Sequence, residues 1–162
     1  YSFMEKCLNE LHLLGFMLSG NIIDILDLHP ASQYAVPAMN VPKYKGKRIK
    51  VFGRKITERS HLVQKKNKFM KFLTIEDKTE CLDIIFWPKQ YETFSDVIVK
   101  DGPFEIWGTV TEDWDAYTLE ADYIRSVDWF PGSVDFTLAS KRLEQSYKKN
   151  YTYENIRTAL AG

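Results

Sequence analysis

From Arg48 to Asp128 the chain breaks into five short segments rich in Val, Ile, Phe, Tyr and Thr, with one amphipathic segment inserted after the third. Each must bury one face against the others, which narrows the possible folds more than any other feature. RIKVFGRKITE, residues 48–58, is the first expected strand; Gly53 lies in its interior, where a bulge or sharp coil needs a residue without Cβ. FMKFLTIE (69–76) and CLDIIFW (81–87) follow, joined by DKTE as a tight hairpin, and Pro88 ends the third strand. KQYETFSDVIV (89–99) places Tyr91, Phe94, Val97 and Ile98 on one side of a short helix. PFEIWGTVTE (103–112) and AYTLEADYIRSVD (116–128) are the fourth and fifth strands, joined by an acidic loop around Trp114.

Strand, strand, strand, helix, strand, strand is the order of a five-stranded Greek-key OB barrel, with the helix plugging the barrel between strands three and four. A β-sandwich needs more strands, and a doubly wound fold needs helices between most of them. The expected protein is therefore mainly β, in three parts: an N-terminal helical segment and connector at 1–47, the barrel at 48–130 and a helical C-terminal extension at 131–162. In the first part Phe3, Cys7, Leu8, Leu11, Leu14 and Leu18 recur at helical spacing, so they predict a helix with one buried face. NIIDILDL is a second short apolar stretch, and Pro30, Pro37 and Pro42 then mark a connector laid over a surface. Within the barrel, Leu82, Ile84 and Phe86 read as core. On the second strand Phe69, Lys71, Leu73 and Ile75 read as the inner set, leaving Met70 and Phe72 facing outward. Trp87, beside Pro88, is expected to pack under the helix.

Net charge is zero, 22 basic against 22 acidic residues, but the charges are segregated along the chain. Residues 43–71 hold twelve Lys or Arg and one acid, Glu58, whereas residues 76–135 hold fifteen acids against Lys78, Lys89, Lys100 and Arg125. The densest basic part, Arg59 to Lys71, falls on the expected loop between strands one and two, which frames the ligand groove of OB barrels. Lys and Arg there would neutralise phosphates, while interleaved aromatic rings let bases stack without regard to sequence. The expected phosphate contacts are Arg48, Lys50, Arg54, Arg59, Lys65, Lys66 and Lys68; the expected stacking platforms are Phe52, Phe72, Trp114 and Tyr117.

Little supports catalysis: His12 and His29 lie outside the strands, and His61 in the basic segment has no connected nucleophile and carboxylate. Glu112, Asp113 and Asp115 read as an acidic solvated turn, no metal or other cofactor is expected, and there is no glycine-rich phosphate loop. Cys7 and Cys81 have neither the spacing of a zinc site nor that of a disulfide framework, which fits a reducing, cytoplasmic setting. The longest mainly apolar run, Leu11 to Leu18, is too short for a membrane span. A chain that starts at Tyr1 without a basic-then-apolar leader is the expectation for a piece of something larger. The acidic pair Glu76-Asp77 reads as the corner of the hairpin, with Asp bonding the backbone two residues on.

Two stretches together resemble the C-terminal region of the bacterial replicative DNA polymerase III alpha subunit. Glu10, Leu13, Leu14, Gly15, Leu18, Ser19 and Gly20 match a segment that in this family precedes an OB domain; Met70, Thr74, Ile75, Glu76, Asp77, Asp83 and Trp87 match the domain's second and third strands. The resemblance covers about Met4 to Asp128, with Asn21-Ile22 in place of a His-Pro and Glu80 in place of the turn glycine. It implies a non-catalytic module that contacts single-stranded template DNA in a DNA-directed DNA polymerase, a nucleotidyltransferase whose catalytic aspartates lie elsewhere. It also implies contacts with other domains of that chain and with replisome proteins. A protein-interaction or spacer module and an RNA-binding OB domain of the anticodon-reading kind are the rival readings. QYETF at 90–94 has Thr where a clamp-binding peptide has an aliphatic residue.

Overall fold

The computed structural model describes residues 3–14, 22–27, 29–113 and 115–128. The chain divides into two compact units, residues 1–28 with 132–162 and residues 29–131. Within the first unit, α1 spans Phe3–Leu14 and α2 spans Ile22–Asp27. Cys7 and Leu26 are buried, but Leu13 and Leu14 are exposed, so the expected buried face does not extend to Leu14. Burial pushes the Cys7 thiol up to about 11, the direction apolar surroundings impose on a group that must charge to ionise. The expected helical extension at 131–162 and residues 15–20, which complete the first polymerase-like motif, lie outside the described residues.

The second unit is a closed barrel of five strands in the order β1-β2-β3-β5-β4. β1 is Arg48–Val63, β2 Lys68–Glu76, β3 Cys81–Phe86, β4 Phe104–Asp113 and β5 Ala116–Ser126, with α3, Pro88–Ile98, between β3 and β4. All contacts are antiparallel except β3 with β5, the parallel seam that closes the Greek key as an OB-type barrel. β1 pairs with β4 as far as Gly53 and with β2 from Arg54 onward. A strand shared between two neighbours must turn sharply where it changes partner. At Gly53 a Cβ would stand 2.6 Å from the Glu76 carbonyl oxygen, so only glycine fits that corner. The register then slips between Lys55 and Thr57, a bulge that bends β1 further.

Alternation fills the interior. Leu73 and Ile75 of β2, Leu82, Ile84 and Phe86 of β3, Phe104, Ile106 and Val110 of β4, and Leu119 and Ile124 of β5 join one core, with Ile98 of α3 among them. The connector groups with the barrel: Ala38 and Val41 enter the same core, and Val36 N–H donates to the Lys50 carbonyl at 2.8 Å. The Asp77 carboxylate holds both ends of this arrangement. One oxygen accepts from Thr79 N–H and Oγ1 at 2.7 and 2.6 Å and from Glu80 N–H at 3.1 Å, while the other accepts from Ala38 N–H at 2.7 Å. The hairpin corner is therefore also the anchor of the connector. At the far end, the buried His29 ring stacks on Phe52 at 5.0 Å, and its two nitrogens bond Ala31 N–H at 3.0 Å and the Asp128 carbonyl at 2.6 Å.

Candidate nucleic-acid interface

The basic segment is not a loop. β1 continues to Val63, Gln64–Lys66 form a single 3-10 turn closed by Asn67 in the left-handed region, and β2 starts at Lys68. β2 pairs with β3 only from Lys71 onward, so His61, Leu62 and Val63 with Lys68, Phe69 and Met70 form a two-stranded arm beyond the barrel wall. The stretch from Arg59 onward, expected as the loop between strands one and two, is therefore the end of β1, a short turn and the start of β2.

On the outer face, register places Arg59 beside Phe72 and Phe72 beside Ile85, with His61 beside Met70 one step outward and Thr57 beside Thr74 one step inward. The Arg59 guanidinium lies 4.5 Å from the centroid of the half-buried Phe72 ring. Trp87 follows β3 with an extended backbone, so alternation turns it outward next to Ile85, and its side chain is 42% exposed. By sheet geometry it is a diagonal neighbour of Phe72, roughly 7–8 Å away. It does not pack under α3, because Pro88 takes the buried position there. Asp83, hydrogen-bonded from Thr74 Oγ1 at 2.6 Å, and Glu120 bound the face on the β3–β5 side. Positive charge therefore lies at the arm and negative charge at the opposite margin.

The expected phosphate contacts separate into two groups. Arg48 makes a bidentate pair with Asp122 at 2.8 and 2.7 Å, which holds the guanidinium further into its protonated form, and Arg54 pairs with Glu76. Lys50 pairs at 2.8 Å with Glu105, whose second oxygen accepts from Arg125 Nε at 2.7 Å. Burial by itself would raise the Glu105 carboxyl; the hydrogen bonds and charges of Lys50 and Arg125 outweigh it and hold the group below its ordinary value. Lys45 is likewise engaged by Glu112 at 2.7 Å, which accounts for one member of the acidic turn. On the arm and at its root the pattern reverses: Arg59, Lys65 and Lys66 have no ion pair among the described residues, and exposed Lys68 stands 3.8 Å from exposed Glu92.

The stacking candidates are similarly sorted. Phe72 is on the outer face as expected, but Phe52 is 4% exposed and covered by His29, so neither of its faces is open to a base. Tyr117 is on β5 opposite Glu112, half-buried against the core, not on a framing loop. Trp114 lies outside the described residues. Met70 is buried despite its outward parity, and Phe69, of inward parity, is 54% exposed because the arm has left the barrel. Trp87 is the residue that sequence reasoning missed. Its signal was the alternation Leu82, Ile84, Phe86, which leaves position 87 on the outer side.

Among the described residues no cluster of His, Cys, Asp and Glu could hold a metal ion, and no described helix is long and apolar enough to cross a membrane.

No protein-family model matches the sequence, and no curated protein matches it. Among solved structures, the chain is similar to asparaginyl-tRNA synthetase from Pyrococcus horikoshii at 20% identity and TM-score 0.47, over 71% of this chain and 28% of that one. It is similar to the second single-stranded-DNA-binding protein of Mycobacterium smegmatis at 11% identity and TM-score 0.43, over 49% and 84%. It is also similar to a domain of replication protein A from Methanococcus maripaludis at 16% identity and TM-score 0.39, over 52% and 87%. The chain spans less than a third of the synthetase's length.

Proposed function

We propose that the barrel binds single-stranded nucleic acid across the outer face of β2 and β3, with the arm holding the phosphates. The observation that carries the reading is that loosely held or unpaired positive charge and the outward-facing rings of Phe72 and Trp87 occur in the same part of the barrel. Arg59 lies on Phe72, Lys65 and Lys66 at the arm's turn have no ion pair among the described residues, and Lys68 has only a long, exposed contact with Glu92. Arg59 presents a flat cationic surface already supported by Phe72, so a base stacks on the guanidinium and the ring lies beneath it. The Arg59 charge, with Lys65 and Lys66 at the arm's turn and Lys68 next to that turn, meets the backbone, while Asp83 and Glu120 repel phosphates from the far margin. Arg48, Lys50 and Arg54 contribute little, because each already has a carboxylate partner.

The resemblance of the paired motifs to the polymerase III alpha subunit supports a more specific role, guiding template DNA in a replicative polymerase. The test is fluorescence anisotropy of labelled oligo-dT with the 162-residue chain at low salt, alongside oligo-U of equal length. Binding lost together with Phe72→Ala and Trp87→Ala is expected. Tighter binding of RNA would favour the anticodon-type alternative, and absence of binding to both would sink the reading in favour of a spacer module.

A further inference from the structure

The arm has a second face. Leu62 and Phe69 are directly opposed across it and are 40% and 54% exposed, an apolar pair that a two-stranded ribbon cannot cover by itself. Their side of the arm is turned toward α3. Between the arm and the helix is a cleft of about 320 Å³, lined by Lys68, Phe69, Pro88, Tyr91, Glu92 and Ser95. The Lys71 ammonium lies 5.4 Å from the centre of the Tyr91 ring and bonds Ser60 Oγ at 3.1 Å, which fixes the cleft's inner end. Its mouth is spanned by Lys68 and Glu92, 3.8 Å apart and with side chains 59% and 74% exposed, a pair that opens at little cost. Lys65 and Lys66 stand at the arm's turn with no ion pair among the described residues.

We propose that this cleft is a docking site for an acidic peptide segment carrying one bulky apolar side chain. The cavity is of the size that takes such an anchor, between Phe69, Pro88 and Tyr91. Charge complementarity sets the flanks: acidic residues on either side of the anchor meet Lys65, Lys66 and Lys68, and one of them replaces Glu92 on Lys68. Nucleic acid fits less well, because the Glu92 carboxylate lies in the lining, where a phosphate would approach it. The site uses the face of the arm opposite Phe72, so peptide and single strand share the arm's cations but not its rings.

The test is selection from a random dodecapeptide display library on the 162-residue chain, with recovered peptides measured by anisotropy against the wild type, Phe69→Ser and Phe72→Ala. Phe69 is exposed on the arm, so the substitution should leave the thermal midpoint unchanged, and circular dichroism checks this. The expected result is a set of peptides with an aromatic or aliphatic residue flanked by Asp or Glu, weakened about tenfold or more by Phe69→Ser and unaffected by Phe72→Ala. Recovery of no binder, of basic or neutral peptides, or of peptides indifferent to Phe69→Ser overturns the proposal. So does oligo-dT binding that falls with Phe69→Ser and not with Phe72→Ala, which would make the cleft the nucleic-acid site.

Discussion

The division of the basic residues into paired and unpaired groups can be read from the salt dependence of binding. Each phosphate neutralised in a single strand contributes a slope of about −0.7 to log K against log salt. Seven cations, including Arg48, Lys50 and Arg54, would give about −4.9; Arg59 with Lys65, Lys66 and Lys68 gives about −2.8. Between about 50 mM and about 200 mM salt, the second value corresponds to a loss of roughly fiftyfold in affinity for oligo-dT. Lys65→Gln with Lys66→Gln should halve the slope to about −1.4 and reduce the loss to roughly sevenfold. The control is Arg48→Gln with Asp122→Asn, which removes a complete exposed pair, leaves net charge unchanged and should leave the slope where it was. Anisotropy titrations at five salt concentrations measure all three proteins. A wild-type slope near −4.9, or a lysine double variant with the wild-type slope, would refute the claim that carboxylate-paired cations are unavailable to phosphate.

Phe72→Ala and Trp87→Ala should each weaken oligo-dT by about 1–3 kcal/mol, the range for loss of one stacked base, with equal effect on a scrambled sequence; an unchanged Kd for both would remove the outer face from the site. Glu105→Gln should cost about 2 kcal/mol at neutral pH in urea unfolding, below the full cost of breaking a buried pair because Arg125 is half exposed. Because the Glu105 carboxyl is held below its ordinary value of 4.5 in the folded state, its contribution is complete above 4.5 and is lost as pH falls through the folded value. The wild type should therefore lose more stability on acidification than the variant, and parallel acid limbs would contradict the assignment. Gly53→Ala should cost about 1–3 kcal/mol, since the new Cβ meets backbone and not a flexible side chain. Thermal unfolding with no shift would mean that the β1 corner has room.

The barrel was legible because its evidence is local. Period-two burial in CLDIIF, the DKTE turn and the single helix after the third strand each depend on neighbours a few residues away, and all appear where the pattern puts them. The errors concern residues whose surroundings change along one strand. Phe69 and Leu73 share a parity, but Leu73 faces the core while Phe69 has passed the end of β3, where there is no opposite wall. Phe52 looked free because nothing nearby in sequence suggests that His29 covers it.

Charge shows the same boundary most clearly. The sequence by itself determined that this protein has a basic stretch, the strands that carry it and the order in which they form a barrel, since composition and periodicity are properties of the chain. Only the tertiary structure decided which of those charges are spent. Closure of the Greek key brings acidic β4 and β5 against the first half of β1, so Arg48 meets Asp122, 74 residues away, and Lys50 meets Glu105. The second half of β1 extends past that closure with β2 as its neighbour, out of reach of the acidic strands. Arg54 and Lys55, nearest the closure, still find Glu76 and Glu58, whereas Arg59 farther along and Lys65 and Lys66 at the turn have no ion pair among the described residues, for the same geometric reason that Phe69 is left exposed.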